Sequence, residues 1–194
     1  MIVSSISLAT MILNPKQKGV LATIVFTLFG VLGYGFAPDK SAILPEAILY
    51  ALLMVQTWYS LPLFFSLIDP KDKRQQGMDV VLALAYAGLA WSIHGGILFY
   101  VAWTIFFTLT VLKYSLLVGR FSAQRLLRRK LVANVLGIGM GILVPTALLL
   151  PALVNNSFQE EGPHPLRWLG VILFGGACVY YLWLRPLYDA REEV

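Results

Sequence analysis

Charge is what this sequence has least of. Of its 194 residues only 13% are Asp, Glu, Lys or Arg, about half the share found in a soluble domain. Cysteine occurs once, at Cys178 inside an apolar run, which excludes an intramolecular disulfide and a thiolate metal cluster. The histidines are His94 and His164, the second in a polar loop, so facing helices do not supply paired axial ligands for a haem. Paired carboxylates at depth, a Cys–His pair and a His cluster are all lacking, and catalysis inside lipid needs a constellation of that kind. No metal and no cofactor is expected. No period of 20–50 residues repeats, which excludes a solenoid.

Apolar residues are what is there. AVILMFWYC make up 58% of the chain, the mean hydropathy is +0.74, and several runs exceed the roughly 18 residues that mark a membrane-spanning helix. A soluble globular fold and a disordered chain are both excluded. The net charge of +5 would suit nucleic acid, but no binding module accompanies it. In a polytopic protein, Lys and Arg mark the cytoplasmic loops instead.

The runs predict an all-α, single-domain bundle of six transmembrane helices, near 19–37, 42–68, 78–94, 97–118, 131–154 and 166–184. Residues 80–118 are too long a continuous run for one span, and His94-Gly95-Gly96 is the only punctuation, so the hairpin is split there. Residues 1–13 are apolar but too short to cross, and Ile2, Ile6, Ala9 and Leu13 share one helical face. A short interfacial helix, ended by Asn14-Pro15, is expected. With both termini in the cytoplasm, all Lys and Arg except Lys40 and Arg167 fall inside, if Lys113 snorkels to the near surface. Glu46 reads as a carboxylate at the outer headgroup level. Glu160, Glu161 and His164 sit in an outer loop broken by Gly162-Pro163 and read as solvated.

Polar residues inside spans are the functional candidates. Gln56 and Ser60 lie one turn apart on the second helix, Thr104 and Thr108 on one face of the fourth, and Asn134 on the fifth. Together they predict a polar seam between those three helices. Gln56 matters most, because an amide in mid-bilayer costs free energy unless it finds a partner. His94, at the outer turn below Trp91, fits a turn hydrogen bond, a solute contact or a cofactor ligand. Gly137 and Gly141 form a small-xxx-small pair on the face of Asn134, suited to close helix contact. Gly30, Gly33 and Gly35 suit the same use.

Val31-Leu32-Gly33-Tyr34-Gly35 looks like the T-V-G-Y-G filter of potassium channels. It ends a full-length run rather than following a pore helix, and no threonine precedes it. Gly137 to Pro145, followed by a Gly-rich last helix, resembles the closing helix pair of NrfD-type quinol-handling membrane subunits. That likeness covers about a quarter of the chain. It implies a subunit of a quinone-linked redox complex, although that family has more spans than six. The residues themselves favour a small-solute transporter or channel using the polar seam. The alternative is a non-catalytic subunit or anchor, packing against partner membrane subunits or its own copies, and a membrane enzyme comes third. The expected partners are the lipid bilayer and a small solute, not nucleic acid.

Overall fold

The computed structural model describes residues 14–67, 72–118, 124–155 and 165–184. The interfacial helix expected at 1–13, and the loop carrying Glu160, Glu161 and His164, lie outside them. The described residues form six α-helices and no strand: α1 (Pro15–Gly35), α2 (Leu44–Leu67), α3 (Lys73–Trp91), α4 (Ile97–Ser115), α5 (Gln124–Asn155) and α6 (Pro165–Val179). A single 3₁₀ turn, Ser92–Gly95, joins α3 to α4, and α6 runs on into a π-helical turn, Tyr180–Leu184. All six helices are long and apolar enough to cross a membrane.

Local chemistry sets the helix ends. Asn14 and Gln17 form a reciprocal capping box ahead of Pro15 at the first position of α1. Asp72 caps α3 by accepting from the backbone N–H of Arg74, at 2.9 Å, and of Gln75. Capped in this way, α3 begins five residues before the apolar run. Likewise α5 begins seven residues early, at Gln124. Between α1 and α2, the Asp39 carboxylate accepts from the Ser41 hydroxyl and from the N–H groups of Ser41 and Ala42. Those donors, the hydroxyl foremost, hold its carboxyl below the usual carboxylate range. Gly96, at φ 53°, supplies the left-handed residue that lets the chain reverse into α4.

Successive helices run antiparallel. Gly19 lies against the backbone of Pro62, and Gly30 against the ring of Tyr50, so α1 and α2 run in opposite directions. The same geometry places Phe107 over Gly137 and Thr104 over Gly141, so α4 and α5 touch almost backbone to backbone. Trp103 fixes that contact by donating its indole N–H to the Gly137 carbonyl at 3.1 Å. Gly35 has nothing within 4 Å of where a Cβ would stand, so of Gly30, Gly33 and Gly35 the first two admit a neighbour closely and the third does not. Lipid supplies no hydrophobic drive between helices, and close packing of this kind is what holds such a bundle.

Every described Lys and Arg except Lys40 and Arg167 sits at the end where α1, α3 and α5 begin; we call this the basic end. The outer surface is apolar, with Leu84 at 69% and Ile172 at 68% exposure. The centre is aromatic: Phe99, Tyr100 and Trp103 are wholly buried, and Trp103 meets the Phe107 and Phe174 rings at 4.9 Å. This slab fills the bundle toward the far end. The basic end holds a second, smaller cluster of Phe64, Tyr114, Leu117, Leu126 and Leu127, with a cavity beside it.

Candidate functional site

A cavity of about 270 Å³ opens into the bundle at the basic end. Five helices line it. From α2 come Gln56, Thr57 and Ser60; from α3, Asp79 and Tyr86; from α4, Thr110 and Lys113; from α5, Lys130 and Asn134; and α1 adds Ala22 and Phe26. Of the lining residues Val80 is exposed, and Ala22, Leu61, Phe65, Asp79 and Ala83 are half-buried. The floor is aromatic. Phe26 stacks on Tyr86 at 4.2 Å, and Phe106 tilts against Tyr86 at 4.5 Å.

The polar groups of the lining fall into two sets. In the first, hydrogen-bonding capacity is already committed. Thr57 and Tyr86 share one hydroxyl–hydroxyl bond of 2.7 Å, and Thr110 donates to the Phe106 carbonyl at 2.6 Å. Asp79 and Lys113 form an ion pair between α3 and α4, with side-chain exposures of 31% and 5%. The second set comprises the amides Gln56 and Asn134, both buried; Lys130, also buried, lines the wall beside them. The Asn134 amide nitrogen is fully buried and has no hydrogen-bond partner. An orphaned donor of this kind costs roughly 1–3 kcal/mol where nothing enters to accept from it.

Of the residues singled out from the sequence, Gln56, Ser60 and Asn134 meet in this cavity. Thr104 and Thr108 do not. Each hydroxyl turns back to the carbonyl four residues earlier, Thr104 faces Gly141, and Thr108 is exposed. Thr110, one residue pair further along α4, takes the place expected for them. His94 is exposed in the 3₁₀ turn at the far end, edge-on to Trp91 at 5.8 Å, well away from the cavity. Gly137 and Gly141 are buried against α4, as described above.

Three ionisable residues stand where hydropathy did not put them. Lys113 does not snorkel, because Asp79 offers it a counter-charge inside the bundle. Lys130 is not in a loop but on the second turn of α5, turned inward at 4% exposure. Glu46 is not at the headgroup level but completely buried at the far end, with Oε1 3.5 Å from Arg167 Nε. Arg167 also donates to the Ala42 carbonyl at 3.2 Å. The buried Tyr100 hydroxyl, both Glu46 oxygens and Arg167 Nε form no hydrogen bond. Here the Glu46–Arg167 ion pair and the Arg167–Ala42 hydrogen bond tie the start of α2 to α6. One signal was readable. Asp72 is a strong N-cap residue, and a helix starting after it carries Asp79 about two turns inward.

Fold and site together define a class: an all-helical bundle of six helices long and apolar enough to cross a membrane, with a polar cavity toward its basic end. No protein-family model, no curated protein and no solved structure matches the chain.

Proposed function

We propose that this chain is a small-solute carrier of the membrane, with the cavity at the basic end as its solute site. The observation that carries this reading is the convergence of buried polar side chains from four helices on one cavity. Helix association alone does not require it: α4 and α5 pack through glycine and aromatic contacts. Ionisable and amide groups at membrane depth are costly, and they belong to pathways more often than to packing. The cavity stops at the Phe26–Tyr86–Phe106 floor, and the far end is packed with Tyr100 and Trp103 and tied by Glu46–Arg167. That asymmetry suits a carrier open to one side rather than a continuous channel.

The positive-inside rule places the basic end in the cytoplasm. With Cys178 replaced by serine, a cysteine at Ser41 is expected to react with an impermeant thiol reagent added to intact cells. A cysteine at Arg74 should react only after permeabilisation. The reverse pattern would invert the topology.

Gln56→Leu tests the function. It removes a buried amide of the cavity while roughly keeping its size. Uptake into proteoliposomes is expected to collapse while the melting temperature in detergent holds or rises. Unchanged flux of a carried solute, with stability lowered by about 0.6–1.7 kcal/mol, is the signature of an interhelical hydrogen bond. That outcome would favour a packing subunit of a larger assembly instead.

A further inference from the structure

We propose that the groove between α1 and α2, on the outer surface of the bundle, holds an acyl chain of an anionic phospholipid, with Lys40 at the headgroup. The inference goes beyond the carrier reading and does not depend on it. The groove has a volume of about 720 Å³. It lies on the other side of the α1–α2 pair from the solute cavity: Ala22 and Phe26 turn to the cavity, and Thr23 and Thr27 to the groove. Gly30 lets the Tyr50 ring seat against α1, and both residues form part of the groove wall. From Thr23 to Tyr34 the groove runs about 16 Å along α1, at about 1.5 Å per residue. That matches one leaflet, about half of a hydrocarbon core roughly 30 Å thick.

Two observations choose the occupant. The first is the chemistry of the wall. Thr23 donates to the Gly19 carbonyl at 2.9 Å, Thr27 to the Thr23 carbonyl at 2.8 Å and Tyr50 to the Phe26 carbonyl at 2.7 Å. These hydroxyl protons are spent on backbone, and Ala47, Ile48, Ala51 and Val55 add hydrocarbon beside them. On helices long and apolar enough to cross a membrane, such a wall suits an acyl chain. The second observation is charge at the far end of the groove. Lys40 Nζ stands 5.9 Å from the centre of the Tyr34 ring, which lines that end. Among the described residues no carboxylate pairs with Lys40, whereas Arg167, the other described cation of the far end, is committed to Glu46 and Ala42. The neighbouring Asp39 carboxylate is held by Ser41 and Ala42, on the side of α2. A phosphodiester at the headgroup level meets the Lys40 ammonium there, and its chain descends past Tyr34 into the groove.

The test is thermal stabilisation of the purified, delipidated full-length protein by dioleoylphosphatidylglycerol, against dioleoylphosphatidylcholine at equal concentration. The two lipids share chains and phosphate, but choline carries a cation that offsets the phosphate. Phosphatidylglycerol is expected to raise the melting temperature further than phosphatidylcholine does, as a tighter ligand of the folded state. Lys40→Gln should make the two shifts equal, and Lys16→Gln, an exposed cation of the basic end, should leave the difference intact. Ala51→Trp, at an exposed position in the groove wall, fills the groove and should remove the difference while lowering both shifts. Should Ala51→Trp not fold, Thr27→Phe fills the same groove from α1. Equal shifts in the parent, or a phosphatidylglycerol advantage that survives Lys40→Gln or the filled groove, would each overturn the assignment. So would light scattering that shows a dimer in the parent and a monomer in Ala51→Trp, because the groove would then belong to a second copy of the chain. Gln56→Leu should leave the lipid shifts unchanged, so the lipid site and the carrier reading fail separately.

Discussion

Replacing Arg167 by methionine is expected to destabilise the protein by about 3–5 kcal/mol, the range for removing one partner of a buried ion pair. The reason lies in what is left behind. Glu46 is completely buried, its two oxygens accept no hydrogen bond, and Arg167 Nε at 3.5 Å is its counter-charge. Its place in the first turn of α2 gives it some help from the helix dipole, but far less than a guanidinium does. Glu46→Gln is expected to cost less, because the residual Arg167 is one-fifth exposed and can reach water. The Glu46→Gln, Arg167→Met double variant should be more stable than Arg167→Met alone. Melting temperatures of the four proteins in one detergent close the cycle. If Arg167→Met melts like the parent, the pair contributes nothing and the far end is held by its aromatic packing alone.

The second large effect is expected at the other end, and it is asymmetric. Asp79→Asn leaves the Lys113 ammonium at 5% exposure without its carboxylate, whereas Lys113→Met leaves an Asp79 side chain that is 31% exposed and able to hydrate. Asp79→Asn should therefore cost on the order of 3 kcal/mol. Lys113→Met should cost a fraction of that, since a partly exposed charge is screened. Lys113 also lies 5.9 Å from the Tyr114 ring, a contact that softens the loss without replacing a carboxylate. Equal losses for both substitutions would show that solvent reaches Lys113 as readily as Asp79.

The fold was legible because its signal is long and redundant. Six apolar runs gave six helices, and the split of the longest run at His94-Gly95-Gly96 fell where the chain makes a 3₁₀ turn and where Gly96 takes a positive φ. The site was legible only in part, and the reason is specific. Hydropathy ends a span where charge begins, but a helix does not end there. Asp72 starts α3 at Lys73, and α5 already runs from Gln124. The extra turns carry Lys130 into the bundle, where a loop reading left it in solvent, and set Asp79 about two turns inside α3 rather than at its start. Side-chain direction was the second obstacle. Thr104 and Thr110 both lie on α4, yet only Thr110 faces the cavity, and which face of α4 turns inward was decided by Trp103 and Phe107 seating on α5. Gln56 and Asn134 escaped both obstacles. Each sits in mid-span, where an amide has few places to go except inward.

Gly137 has a consequence for how sequences of this kind can diverge. One residue serves Phe107 by having no side chain and serves Trp103 by offering its carbonyl. A lineage that acquired alanine at 137 would drive a methyl group to 2.5 Å from the Phe107 ring, so the ring would have to shrink before or with that change. The shift this forces on α5 would in turn pull the carbonyl from the Trp103 indole. Positions 103, 107 and 137 should accordingly drift together or not at all. In any set of descendants, a small residue at 107 should accompany each loss of glycine at 137.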